Sequence, residues 1–150
     1  MKLSEYDRGW LEAALDGEGS IAFYRHKDKT TKGFRWQLRT QLYNTNRAFL
    51  ERAKLLIGGR ITEKVPSMPN SKMGYTLQVS TRSMGEFLPQ LNLIIKERQR
   101  LLSLEIIPLL HQNKIARRSI NDFRLSEIEK EFRTLNRVGL TTAQPPVKKP

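Results

Sequence analysis

A chain of 150 residues has the size of one globular domain and can bury a core without disulfides, and 38% apolar with 28% charged residues suits neither a membrane protein nor a disordered one. Its 27 Lys and Arg against 15 Asp and Glu leave a net charge of +12, a balance that points to a polyanionic partner, most often nucleic acid. With no cysteine and two histidines, His26 and His111, thiolate metal sites and thiol nucleophiles are excluded and any metal must rest on oxygen ligands. No apolar run nears the roughly 20 residues that span a bilayer, and MKLSEYDRGW carries a carboxylate where a secretion signal is apolar, so the sequence predicts an intracellular protein without membrane contact.

Ser4-Glu5-Tyr6-Asp7 is a capping-box pattern, and Trp10, Leu11, Ala13, Ala14 and Leu15 extend it into a helix over about 5–16 that Gly17 and Gly19 are expected to break. Residues 20–26 then alternate, Ile21 and Phe23 against Ser20, Ala22, Tyr24 and His26; FRWQLRTQLY repeats the pattern with Phe34, Trp36, Leu38 and Leu42 against Arg35, Gln37, Arg39, Gln41 and Tyr43. A charged turn joins the two strands into a hairpin. Asn44 and Asn46 offer capping oxygens for a helix of Phe49, Leu50, Ala53, Leu56 and Ile57, stopped by Gly58-Gly59.

A second hairpin is predicted from Arg60 to Val65 and Tyr75 to Thr81 around the loop PSMPNSKMG, followed by a helix capped at Ser83 with Phe87, Leu88 and Leu91 inward and Pro89 shortening it. Leu101, Leu104, Ile107 and Leu110 mark the inner face of a further helix bent at Pro108, and Ile120, Phe123, Ile128, Phe132 and Leu135 mark a last one. One α+β domain over 1–138 results, with an antiparallel sheet covered by helices on one face; residues 139–150 read as a disordered basic tail.

Eleven of the cations fall between residues 25 and 64, against three acids. The polar face of the strands, Ser20, Ala22, Tyr24 and His26, then Gln37, Arg39, Gln41 and Tyr43, then Arg60, Thr62 and Lys64, then Thr76, Gln78 and Ser80, is rich in side chains that pair with base edges. Against this background Asp16 and Glu18 stand out, because two acids at a basic surface repel phosphate unless they serve structure or hold a divalent cation that reverses the local sign.

The stretch Leu11 to Gly19, LEAALDGEG, resembles the core motif of the LAGLIDADG homing endonucleases, and the helix-hairpin-helix-hairpin-helix order is similar to that family's core. The motif occurs once, so the resemblance implies the homodimeric branch, in which two copies join through the motif helix: Leu11, Ala13, Ala14, Asp16 and Gly17 would form the interface. It implies that Glu18, with the Gly17 carbonyl beside it, holds Mg²⁺ (or Mn²⁺), and that Asp16 braces the helix. A polar family position at the end of the second strand falls on Asn46, with Asn44 as the alternative, and a basic one on Lys96, with Arg98 competing. Glu12 departs from the small residue usual at that place in the motif. The implied activity is metal-dependent double-strand cleavage, with staggered ends, of a long pseudo-palindromic DNA site, promoting intron mobility in an archaeal or bacterial cytoplasm or an organelle. Two rival expectations are a catalytically silent RNA maturase or DNA-binding regulator on the same fold, and a monomeric basic RNA-binding protein of ribosomal type.

Overall fold

The structure, a computed structural model, describes residues 1–30 and 33–141. In chain order it comprises α1 (Glu5–Glu18), β1 (Gly19–Lys27), β2 (Phe34–Asn44), α2 (Arg47–Ile57), β3 (Arg60–Lys64), β4 (Gly74–Val79), α3 (Thr81–Phe87), a single 3₁₀ turn at Leu88–Gln90, α4 (Glu97–Ala116) and α5 (Asp122–Thr141). All four strands form one antiparallel sheet in the order β1-β2-β4-β3. Among the described residues no helix is long and apolar enough to cross a membrane.

One face of the sheet is the floor of the core. Ile21, Phe23, Trp36, Leu38, Leu42, Leu77 and Val79 are buried there, alternating with half-exposed polar neighbours as the period of two requires. The helical layer covers them: Leu11 and Leu15 from α1, Leu50 and Ile57 from α2, Phe87 from α3, Leu102 and Ile106 from α4, Ile128 and Phe132 from α5. Phe23 stacks on Trp36 with ring centroids 5.3 Å apart and meets Phe132 at 6.1 Å. Truncating Phe132 would therefore remove a contact shared by sheet and helix, at a cost of roughly 3–5 kcal/mol.

Several boundaries differ from the sequence reading. Helix α1 runs through Gly17 to Glu18 rather than stopping near 16; a glycine inside a helix costs only about 1 kcal/mol, less than the burial of Leu11 and Leu15 returns. Gly19 is where glycine is required, since a β-carbon there would lie 2.6 Å from the Leu15 carbonyl oxygen. Helix α3 starts three residues early because Ser80, not Ser83, caps it: the Ser80 hydroxyl accepts the Ser83 amide at 3.2 Å.

On α4 the buried positions are Gln99, Arg100, Leu102, Ser103 and Ile106, while Leu101 is exposed. Leu104, Ile107 and Leu110 pack against the core as expected, while the place next to Leu101 is taken by Arg100, whose guanidinium is held by the Leu88 carbonyl (3.0 Å) and Glu97 (2.6 Å). Phe34, expected inward, is exposed where the first hairpin outruns the helical layer, and the Arg25 guanidinium covers it at 4.8 Å. Of the tail expected from 139, residues 142–150 lie outside the described residues, and α5 continues to Thr141.

Candidate functional site

Two structures meet at one end of the sheet. Helix α1 delivers Glu18 as its last residue, and the next residue, Gly19, pairs with Leu42 near the end of β2. Glu18 is exposed; the carbonyls of Gly17 and Glu18 have no partner within the helix, as the last four of any helix do not. The carbonyl of Leu15 accepts the Gly19 amide, and that of Asp16 accepts the Lys96 ammonium at 2.5 Å. Lys96 thus places positive charge on the negative end of the α1 dipole, two residues from Glu18. Burial draws its pKa below the ordinary 10.5, and the Asp16 charge partly restores it.

Asp16 has a structural task. Its carboxylate accepts the amides of Ile94 (2.7 Å), Ile95 (3.2 Å) and Lys96 (3.0 Å), closing the loop that leads into α4. One turn earlier on the same side of α1, Glu12 accepts the amide of Asn92 at 2.7 Å. That contact explains why a carboxylate occupies this place in the motif: with Asp16 it staples the 92–96 loop to α1.

Asn46 caps α2, its side-chain oxygen accepting the Ala48 amide at 3.0 Å, and Asn44 accepts the Asn46 amide at 2.8 Å. Both stand at the Glu18 end of the sheet with their carbonyl oxygens committed to backbone. Arg98 points elsewhere, into an ion pair with Glu131 on α5.

The exposed face of the sheet brings together the residues chosen by alternation. Ser20 lies opposite Gln41, Ala22 opposite Arg39, Tyr24 opposite Gln37 and His26 opposite Arg35; Gln41 and Tyr43 meet Gln78 and Thr76, which in turn meet Arg60 and Thr62, with Lys64 opposite Gly74. Tyr24 donates its hydroxyl to the Gln37 amide oxygen at 3.1 Å, and the Arg39 guanidinium lies 5.4 Å over the Tyr24 ring, so these three side chains arrive already ordered. A β-carbon at Gly74 would collide with the Tyr43 ring, so Tyr43 lies flat across that strand. Ser80 is off the strand, serving as the α3 cap, yet still borders a shallow groove with Gly59, Arg60, Thr62 and Gln78. Toward the Glu18 end the face carries no acid among the described residues, since Glu63 turns away to pair with Arg47 at 3.6 Å; at the far end Asp28 pairs with Arg35 at 3.0 Å. Arg35 is the member that the sequence reading left off its site set, although its alternation with Gln37 marked it.

The side of α1 away from the core carries Gly9, Ala13 and Gly17, all exposed and spaced by four. Leu11 and Ala14 are not on that side: at 0% and 5% exposure they are core residues of their own chain, because the helix turns them toward the sheet, and they cannot face a second copy. Asp16 is likewise spent on the 94–96 loop. Next to α1, on the loop that Asp16 holds, the structure exposes residues the sequence reading missed, Ile94 at 90% and Ile95 at 72%, and elsewhere, on α2, Leu55 at 83%.

Among the described residues no three His, Asp or Glu side chains gather, so Glu18 stands at the end of the basic face without a cluster of other acids. No protein-family profile and no curated protein matches the sequence. Solved structures do. An archaeal intron-encoded homing endonuclease, I-Vdi141I, complexed with DNA, is 25% identical with a TM-score of 0.69 over 87% of this chain and 84% of its own. The homing endonuclease I-TnaI is 17% identical with a TM-score of 0.66 over 91% of this chain and 96% of its own. The LAGLIDADG homing endonuclease I-GzeII, bound to its DNA target, is 21% identical with a TM-score of 0.61, this chain spanning 41% of it.

Proposed function

Starting from a fold that is that of the LAGLIDADG homing endonucleases, we propose that the protein is a site-specific DNA endonuclease that reads duplex DNA with the exposed sheet face and cleaves it beside Glu18. The observation that carries this reading is the position of Glu18, an exposed carboxylate at the end of a basic face whose Arg, Gln and Thr side chains match base edges in the major groove.

The residues present fit a divalent cation as part of a site rather than as a cage. Mg²⁺ takes oxygen ligands, keeps several waters and uses few carboxylates, which suits the exposed Glu18 carboxylate and the Gly17 carbonyl, with phosphate oxygens supplied by DNA. Bound there, such a cation would offset charge on the phosphoryl oxygens and lower the pKa of a bound water. The chain's own residues do the rest. Glu18 holds the anionic ligand position, Asp16 fixes the helix end through the 94–96 loop, and Lys96 adds a positive charge close by. In the hydrolysis the oxygen of water bonds to phosphorus and a P–O ester bond breaks, its oxygen leaving with a proton.

One chain offers one carboxylate, so double-strand cleavage calls for two copies. The exposed Gly9, Ala13 and Gly17 allow a second α1 to approach closely, and Ile94 and Ile95 are apolar surface for it to cover. A homodimer reading a pseudo-palindromic site, with staggered ends and intron mobility as its biological outcome, completes the proposal. The test is a cleavage selection on a randomised duplex library with Mg²⁺, beside an EDTA control. Enrichment of one pseudo-palindromic site cut only with Mg²⁺ is expected; sequence-specific binding without cutting would overturn the nuclease and leave a regulator or, if RNA substrates bind better, a maturase.

A further inference from the structure

Four arginines of the two C-terminal helices are matched within the chain, while Lys130 on α5 stands alone among the described residues. Arg98, Arg100, Arg124 and Arg133 each face a carboxylate of the same helical layer: Glu131, Glu97, Glu105 and Glu129. Lys114, Arg117 and Arg118, at the turn between α4 and α5, pair with none among the described residues. They line a cleft of about 540 Å³ whose far wall carries Arg35 with Asp28, the two paired at 3.0 Å, so the three cations of the turn are the unmatched charges there.

The turn is built to hold them there. Its backbone closes through the Arg118 amide to the Asn113 carbonyl and the Arg117 amide to the Lys114 carbonyl, and the Asn113 side chain accepts the Ile120 amide at 3.0 Å. Arg117 has φ +51°, a left-handed conformation that helix ends usually give to glycine. The chain keeps a cation where its backbone favours a residue without one. A helix C-terminus alone would also favour positive charge, but the dipole does not ask for an arginine at the left-handed position.

Arg35 links this cleft to the sheet, for it lies on the same face as Gln37, Arg39 and Gln41. From Leu42, beside the Glu18 end, to Arg35 is about 23 Å of strand, or roughly seven base-pair steps of a duplex lying along it. We propose that the α4–α5 turn is a phosphate grip: Lys114, Arg117 and Arg118 seat the sugar-phosphate backbone where the duplex leaves the sheet, adding affinity and register without reading sequence. The proposal rests on the DNA-binding reading above and extends it to a surface on the helical layer. The binding partner is the phosphodiester backbone, which presents anionic oxygens at a spacing that three cations on one turn can meet.

The experiment measures duplex affinity against salt for the full chain and for the triple variant Lys114→Gln/Arg117→Gln/Arg118→Gln, on the preferred site and on the same site trimmed of its outermost base pairs. The triple variant is expected to reduce the slope of log affinity on log salt by about 2–3 per subunit, or about 5 for the homodimer, near one per phosphate lost, with the ranking of sequences unchanged. Trimming should weaken the unaltered chain and leave the variant as it was. The variant Lys114→Arg/Arg117→Lys/Arg118→Lys, which keeps every charge, should retain the full slope. Arg117→Gly separates binding from folding: relief of the left-handed backbone should raise the thermal midpoint while the slope falls by about one per subunit, or two for the homodimer. An unchanged slope in the triple variant, while the unaltered chain binds DNA, overturns the grip. So does an acidic polypeptide that occupies the cleft without competing with DNA. An unaltered chain that binds no duplex at all overturns the DNA-binding reading itself, a different result from either.

Discussion

The exposed sheet face and the α4–α5 layer are both crowded with cations, but they use them differently. In the helices Arg98, Arg100, Arg124 and Arg133 are each matched to a carboxylate; on the sheet face Arg39 is held by an aromatic ring, and Arg60 and Lys64 have no acid partner among the described residues. Paired charges are satisfied within the chain and contribute little to its outward field, whereas unpaired ones are left for a partner. Net charge alone, the loudest signal in the sequence, does not distinguish the two. The pattern of pairing narrows the choice: among the described residues single unmatched cations such as Lys54, Arg82 and Lys130 are scattered over the helices, whereas Arg39, Arg60 and Lys64 on the sheet face and Lys114, Arg117 and Arg118 at the α4–α5 turn come in groups.

The sharpest way to break this comparison is to remove the exposed acid at the α1 end of the sheet face. Glu18→Gln keeps shape and removes a negative charge, so cleavage should fall by about 10³-fold or more, since a metal's charge stabilisation is worth several kcal/mol, while duplex affinity is held or slightly improved. Full cleavage by this variant would show that Glu18 holds no cation. Next in size is Asp16→Ala, which leaves three backbone amides without their acceptor. A loss of about 3 kcal/mol is expected, roughly 6–12 °C in thermal midpoint. A midpoint within a degree or two of the parent would mean that the 94–96 loop holds itself.

These two acids also show how far the sequence could be read. LEAALDGEG and the two alternating stretches placed α1, the hairpins and the reading face, because a period of two and a capping serine are local signals. The 92–96 loop was beyond reach, since Glu12 and Asp16 act on partners about 80 residues away and nothing local marks Asn92 or Ile94 as their targets. The same limit misassigned Leu11 and Ala14 to an interface: the sequence shows that α1 has an apolar stripe and a small-residue stripe, but not which one its own sheet takes. On α4 the stripe held for Leu104, Ile107 and Leu110 but not for Leu101, next to which Arg100, a residue that sequence reasoning puts outside, is buried with its guanidinium hydrogen-bonded.

Arg39 tests the sheet side of the comparison. Arg39→Ala should cost about 1–3 kcal/mol in binding and relax preference at one base position, as expected of a guanidinium already oriented by Tyr24. Arg124→Gln is its partner experiment in the helical layer, where the guanidinium is taken by Glu105 at 2.6 Å. Binding and its salt dependence should not change. A specificity profile indifferent to Arg39, or a salt slope that drops with Arg124, would dissolve the distinction between paired and unpaired surfaces.

The smallest effect expected lies where sheet and helical layer are tied together. Asp122, the first residue of α5, accepts a hydrogen bond from the Ser119 hydroxyl and another from the Trp36 indole at 2.8 Å. The first of these, then the second, hold its carboxyl below the ordinary value of 3.8. Because the folded protein prefers the ionised form, the stabilisation is complete above 3.8 and is lost as pH falls through the lower, folded value. Solvent reaches this carboxyl, so the contribution is under about 1 kcal/mol. Asp122→Asn should therefore lower the thermal midpoint by a few degrees or less at pH 7 and by less still near pH 2, the two curves converging as Asp122 takes up its proton. Curves that stay parallel across that range would mean that the Trp36 contact works through shape rather than charge, and that the seam between α5 and β2 owes nothing to ionisation.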